Sequence, residues 1–182
     1  IHGNGGRDTA DYSSSNAAVR VSLFKNSHSG GHADGDDLQG IENIAGSDFG
    51  DMIAGDDQGN DLEGAQGNDQ LFGGGAADTL SGGLGNDTLL GDSGGDTLDG
   101  GGGNDTVTYR NSPGAVTVAL FNNTASGSDA AGDSFSSIEN IEGSAFGDTL
   151  SGDANVNIFT GGAGGDAMFG GFSRDWADYS TS

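Results

Sequence analysis

The sequence contains no cysteine and a single proline, Pro113, and only 5 of its 182 residues are lysine or arginine. Each shortage closes a class of function. Without cysteine there is neither a disulfide framework nor a thiolate metal site. With 28 acidic residues against those 5 basic ones the net charge is −23, so nucleic acid and anionic membranes are repelled. No apolar run approaches the roughly 18 residues of a membrane span, so no membrane insertion is expected, and no signal-peptide pattern opens the chain. Hydrophobic residues make up 32%, where a globular core usually draws on roughly 45–50% counting glycine. On that measure alone the chain would be disordered. The natural partners of such a polyanion are cations.

What the sequence has in abundance is glycine, 38 residues of it, and the glycines are periodic. Apolar residues recur every nine positions at Ile44, Ile53, Leu62, Leu71, Leu80, Leu89, Leu98 and Val107. Acid or amide residues keep the same step two positions earlier, from Asp51 through Asn60, Asp69, Asp78, Asp87 and Asp96 to Asp105. Gly82 to Leu90 reads GGLGNDTLL and Gly100 to Thr108 reads GGGGNDTVT, giving the consensus G-G-x-G-x-D-x-U-x with U apolar. A second array reads GSAFGDTLS from Gly143, GDANVNIFT from Gly152, GGAGGDAMF from Gly161 and GGFSRDWAD from Gly170. Eleven units in register are not chance, and they displace the disordered reading when the right ion is present.

A longer period encloses the short one. Asp8, Tyr12, Val19, Asp36, Glu42, Asn43 and Asp51 recur 97 residues later as Asp105, Tyr109, Val116, Asp133, Glu139, Asn140 and Asp148. A third copy begins at Asp175, only 70 residues after Asp105, a difference of three nonapeptides. The chain therefore divides into a lead-in at 1–45, seven nonapeptides at 46–108, a second lead-in at 109–142, four nonapeptides at 143–178 and the start of a further module at 179–182. Whole units can be lost because each repeat of a solenoid touches only its neighbours. The simplest reading is a piece of a longer tandem array.

Glycine at positions 1, 2 and 4 permits a tight turn over the first six residues, and positions 7 to 9 form a short strand with its apolar residue inward. Two units close a coil of 18 residues, and coils stack about 4.8 Å apart. The expected fold is all-β: a right-handed parallel β-roll, or β-helix solenoid, with thin ladders of Leu and Ile as its core. Asp51, Asp69, Asp87 and Asp105 then stand in one column, and Asn60, Asp78 and Asp96 in another. Stacked carboxylates repel unless a cation lies between them. An all-oxygen, flexible site of about six ligands suits Ca²⁺ better than Mg²⁺ or Zn²⁺. Metal binding would then supply folding energy that the thin core lacks. The stretches Val19–Leu23 and Val116–Leu120 alternate with period two and read as longer strands. Asp36 and Asp133 close the loops after them, as further ligands or as turn caps.

These nonapeptides resemble the RTX repeats of secreted bacterial proteins, and the flanking DTADYSSS…IENIAGSDFGD and DTVTYRNS…IENIEGSAFGD are similar to the lead-in of the calcium-binding domain of serralysin-type proteases. The resemblance implies that each ion lies between turns 18 residues apart. The first turn gives the carbonyls of positions 2 and 4 and its Asp; the second gives the carbonyls of positions 1 and 3 and its own Asp. So Ala65, Gly67 and Asp69 would share an ion with Gly82, Leu84 and Asp87, and Gly83, Gly85 and Asp87 with Gly100, Gly102 and Asp105. Gly74, Ala76 and Asp78 would share one with Gly91, Ser93 and Asp96. Two more would pair Ser47, Phe49 and Asp51 with Gly64, Gln66 and Asp69, and Ser144, Phe146 and Asp148 with Gly161, Ala163 and Asp166, making about five strong sites. The Asn60–Asp78 and Asn157–Asp175 pairs carry amide for carboxylate and should bind weakly or not at all.

One pentapeptide invites a different reading. Gly91 to Gly95 is GDSGG, which fits the G-x-S-x-G pattern of hydrolase nucleophiles. The only histidines, His2, His28 and His32, lie in or near the first irregular segment, far from Ser93, and His28 to His32 lacks the glutamate of a zinc-protease helix. No phosphate-binding loop exists, and Lys25 is the only lysine. Catalysis is not expected. The expected function is a calcium-binding structural module of a secreted bacterial protein, exported unfolded and ordered by calcium outside the cell or at its surface. It would belong to a tandem adhesin, surface-layer or filament-like protein, with neighbouring modules and self-association as its protein contacts. The alternative is a secretion and folding domain attached to a hydrolase.

Overall fold

The computed structural model describes residues 1–179, so the predicted further module at 179–182 lies, but for Tyr179, outside the described residues. Among the described residues no helix is long and apolar enough to cross a membrane. The structure is almost entirely strand and turn, with three short 3₁₀ turns. It is the parallel β-roll that the nine-residue period requires.

One sheet of nine strands runs the length of the molecule. From the first module it holds the hairpin Arg20–Ser22 and Ser27–Ser29, then Met52–Ala54, Gln70–Gly75, Thr88–Ser93 and Thr106–Thr108. It continues through Asn140–Glu142, Ile158–Thr160 and Trp176–Asp178. The opposite wall is in two parts. Six strands, Thr9–Asp11, Asn43–Ala45, Asp61–Gln66, Thr79–Gly85, Thr97–Gly103 and Ser134–Ser136, face the first module. Four, Thr124–Ser126, Thr117–Ala119, Thr149–Ser151 and Ala167–Phe169, face the second. Apart from the two hairpins every pairing is parallel, with a register of 18 residues inside the arrays: Leu62 opposite Leu80, Leu80 opposite Leu98, Leu71 opposite Leu89.

That register stacks like on like. Ile44, Leu62, Leu80 and Leu98 form one fully buried ladder, and Ile53, Leu71, Leu89 and Val107 face it from the long sheet. Each contributes about 1.5–3 kcal/mol of burial. With one such residue per nonapeptide the core is a double file and no thicker. Tyr12 and Tyr109, buried beside it, donate their hydroxyls to Asp36 Oδ2 (2.8 Å) and Asp133 Oδ2 (2.7 Å).

Two local expectations need correction. The stretches Val19–Leu23 and Val116–Leu120 do not form longer strands: each contributes three strand residues, Arg20–Ser22 and Thr117–Ala119, and then folds back antiparallel. Asn26 (φ 43°) and Asn123 (φ 54°) supply the left-handed residue of the reversal, a role asparagine tolerates. The six-residue turns of the central units are also less separate than the consensus suggests. Strands such as Thr79–Gly85 and Thr97–Gly103 run on through them, because glycine lets adjacent turns pair backbone to backbone.

Candidate metal centre

The aspartates at position 6 are placed by the strand that follows each of them. Asp69, Asp87 and Asp105 in one column, and Asp78 and Asp96 in the other, are at most 3% exposed. Within a column every aspartate is held the same way: its Oδ1 accepts the backbone N–H of the aspartate or asparagine one coil earlier. Asp51 donates to Asp69 (2.7 Å), Asp69 to Asp87 (2.8 Å) and Asp87 to Asp105 (2.8 Å). Asn60 donates to Asp78 (2.8 Å) and Asp78 to Asp96 (2.9 Å). Asp148 and Asp166 repeat the arrangement in the second array at 2.9 Å. One oxygen of each carboxylate thus fixes the coil spacing.

The other oxygen has no partner. Oδ2 of Asp69, Asp78, Asp87, Asp96 and Asp105 is buried without a hydrogen bond. The cause is position 2 of each turn, where Ala65 (φ 79°), Gly83 (φ 103°) and Asp92 (φ 61°) are left-handed, so its N–H does not cap the carboxylate. The same twist sends carbonyls along the roll axis. The Ala65 carbonyl points at Gly83 one coil on, and the Gly67 carbonyl at Gly85, so closely that a side chain at either glycine would overlap it. From the upper coil the position 1 carbonyl points back: a side chain on Gly82 would meet both Asp87 Oδ2 and the Gly100 carbonyl. The unpaired carboxylate oxygen and these carbonyls therefore border the same interval between coils. Some expected donors have a second duty. The Leu84 carbonyl accepts the Gly67 N–H at 2.8 Å, leaving one lone pair for another partner.

The electrostatics agree with that geometry. Burial pushes Asp69 and Asp96 up to about 7 and Asp78 up to about 6, with neighbouring carboxylates adding to the effect and the N–H bonds opposing it. Asp87 and Asp105 are raised for the same first reason. Ionised, these columns are unstable by themselves. Among the described residues no three His, Asp or Glu side chains gather into a metal cluster. Each interval offers two carboxylates and several backbone carbonyls, the donor set that Ca²⁺ accepts and that Zn²⁺ does not favour. The residues present fit calcium, and a divalent ion there would supply the positive charge between stacked carboxylates.

Not every predicted unit is built alike. Asp51 is capped by its own turn: Ser47 N–H donates to Oδ2 (2.6 Å), Ser47 Oγ donates to Oδ1 (2.8 Å), and Val19 N–H reaches Oδ1 (2.7 Å). Ser144 and Val116 do the same for Asp148. Asn60 and Asn157 are satisfied as amides. Their Oδ1 atoms accept from Asp56 and Asp153 N–H, and their Nδ2 atoms donate to the carbonyls of Glu42 and Glu139 at 2.9 and 2.8 Å. The amide oxygen thus stands where the other turns have the unpaired Oδ2, and it is already capped by a backbone N–H, while the amide nitrogen takes the place of Oδ1. Phe49 and Phe146 keep position 4, with their carbonyls against Gly67 and Gly164. Ser93 lies exposed at the end of Thr88–Ser93, its backbone opposite Gly75. Asp133 takes the cap role: Oδ1 accepts Asp96 N–H at 2.9 Å and Oδ2 accepts the Tyr109 hydroxyl.

Fold and site together define a calcium-binding parallel β-roll. A sequence model of the RTX calcium-binding nonapeptide repeat matches the chain in four copies, over residues 72–107 and 137–177. Those segments are RTX calcium-binding nonapeptide repeats, and the chain carries a Ca²⁺-binding structural module. The units at 46–71, outside the match, share the coil register of the rest. No curated protein matches the chain.

Proposed function

We propose that the chain is a secreted structural module that folds when it binds calcium outside the cell, and that it acts through binding without catalysis. The observation that carries this reading is the row of buried aspartates whose second oxygen lacks any partner. Ions between Asp69 and Asp87, Asp78 and Asp96, and Asp87 and Asp105 would fill first. Those between Asp51 and Asp69 and between Asp148 and Asp166 would fill last, because Ser47 and Ser144 already occupy the lower carboxylate. Extracellular modules of this kind work at roughly 10⁻⁴–10⁻³ M calcium. A polyanion of net charge −23 stays soluble and extended without the ion. The recurrence of lead-in and array within the chain supports a repetitive structural role in an adhesin, surface layer or filament. Far-ultraviolet circular dichroism during a calcium titration tests the coupling. A cooperative gain of β signal at submillimolar to millimolar calcium is expected; a full β spectrum that persists in chelator would overturn it.

A further inference from the structure

The first module carries a groove that neither the core nor the aspartate columns use. It lies on the outer face of the long sheet, bordered by the hairpin Arg20–Ser22 and Ser27–Ser29 and by the strand Gln70–Gly75, with a volume of about 490 Å³. Met52 and Phe72 form its floor, each directed outward beside a buried neighbour, Ile53 and Leu71. Phe24 stands at the hairpin tip, 67% exposed, with its N–H held by the Gly55 carbonyl at 3.2 Å. An apolar cleft of roughly 300–1,000 Å³ with a few polar groups at its rim is the form a ligand site takes.

The groove is set apart by its charge. Of the 5 basic side chains in the protein, Arg20 and Lys25 both line it. Arg110 pairs with Glu142 at 3.6 Å, and Arg7 donates to Asn43 Oδ1 at 3.0 Å. Arg20 instead lies against the Met52 sulfur at 3.5 Å, and among the described residues neither it nor Lys25 forms an ion pair. In a chain of net charge −23, two cations without acidic partners over one apolar floor call for a counter-charge from outside. The second module shows the apolar part alone. There Phe121 and Phe169 stand 97 residues after Phe24 and Phe72, around a groove of about 580 Å³, but Thr117 and Asn122 replace Arg20 and Lys25. At the far side of the first groove is Asp92, three strand spacings or about 14 Å from Arg20.

The geometry points to an acidic glycan as the occupant of the first groove, one whose carboxylates are separated by neutral sugars. Arg20 and Lys25 take a carboxylate, which a guanidinium matches with two parallel N–H bonds. Phe24 and Phe72 take the C–H faces of the sugar rings, whose partial positive charge an aromatic face attracts. Asp92 accepts sugar hydroxyls. Asp92 also decides against a denser polyanion. An acidic peptide running through the groove sets a charge against it, whereas an alternating glycan places a neutral ring there. The inference deepens the adhesin role proposed above and rests on the folded roll, since the floor of the groove is made of its parallel strands.

Isothermal titration calorimetry of the full chain in saturating calcium tests this with a hyaluronan hexasaccharide, which alternates glucuronic acid with N-acetylglucosamine. Binding is expected, with chitohexaose, built from N-acetylglucosamine alone, weaker by about tenfold or more. Arg20→Thr together with Lys25→Asn installs the residues that the second hairpin already carries, so the fold is retained. Affinity for hyaluronan should fall by about tenfold or more in that variant, and also in Phe24→Ala, with the circular dichroism in calcium unchanged. Equal affinity for the two sugars, or none for either, in a chain with a full β spectrum would overturn the glycan site and leave the calcium reading intact. A chain that gains no β signal in calcium would overturn both, because the groove would have no floor. Sedimentation velocity covers the other occupant. Self-association that is lost in the double variant would assign the groove to a second copy of the chain and overturn the glycan.

Discussion

Asp87 stands at the middle of its column, so replacing it separates the two jobs of the carboxylate. Its Oδ1 holds the buried Asp69 N–H at 2.8 Å, and Asp87→Ala leaves that donor unpaired, which costs about 1–3 kcal/mol. Its carboxylate is also shared by the intervals below and above it, toward Asp69 and Asp105. At free calcium about 100 times the dissociation constant, each occupied site adds about 2.7 kcal/mol to the folded state. Losing both sites removes about 5 kcal/mol more. In saturating calcium, urea unfolding of Asp87→Ala should therefore show a deficit of about 6–8 kcal/mol. Asp87→Asn keeps an oxygen for the Asp69 N–H and should show only the calcium share, about 5 kcal/mol. An asparagine variant within about 1 kcal/mol of the parent would refute the reasoning, since it would mean that only the hydrogen bond matters.

The pH dependence of the metal-stripped chain follows from the raised carboxylates. Asp69 and Asp96 at about 7 and Asp78 at about 6 bind protons more tightly folded than unfolded, where aspartate titrates near 3.9. That stability is present below about pH 4 and is lost as pH rises through about 6–7, so without metal any residual β signal in far-ultraviolet circular dichroism should be larger at pH 5 than at pH 8. The reverse order would contradict the assignment. Gly85→Ala places a methyl into the Gly67 carbonyl at a left-handed φ of 139°, and the calcium midpoint for folding should rise or folding should fail. Leu80→Ala, in a fully buried ladder, should cost about 2–5 kcal/mol by urea unfolding in saturating calcium, with the ion count by native mass spectrometry unchanged. Ser93→Ala alters an exposed side chain and leaves the backbone carbonyl, so calorimetric titration should give calcium affinities equal to the parent's, whereas Asp96→Ala should weaken them.

The regular part of the molecule is legible because its period equals half a coil. Once Leu62, Leu80 and Leu98 are spaced by 18, parallel pairing and the aspartate columns both follow. The irregular parts were not legible to the same degree. Val19–Leu23 alternates like a strand, but Asn26 reverses the chain after three paired residues. Glu42 and Glu139 were visible as members of a repeated Ile-Glu-Asn string, yet their place above Asp8 and Asp105 depends on detours of 34 residues. Ser47 and Ser144 read as replacements for glycine, while in the fold their N–H and hydroxyl groups cap the carboxylates that glycine-like turns leave open.

The sequence by itself determined the coil, the inward ladder and the kind of ion, since nine-residue spacing and oxygen-only donors admit few alternatives. The tertiary structure decided which carboxylates are left wanting a partner, because that depends on the backbone twist at position 2. It also decided which way successive modules face. The lead strand Thr9–Asp11 lies on the divided wall, and its counterpart Thr106–Thr108, an odd number of half-coils later, lies on the long sheet. After the shorter array, Trp176–Asp178 remains on that sheet. Each nonapeptide is half a turn, so adding or losing one exchanges the faces, and the physical reason appears only when the coils are stacked.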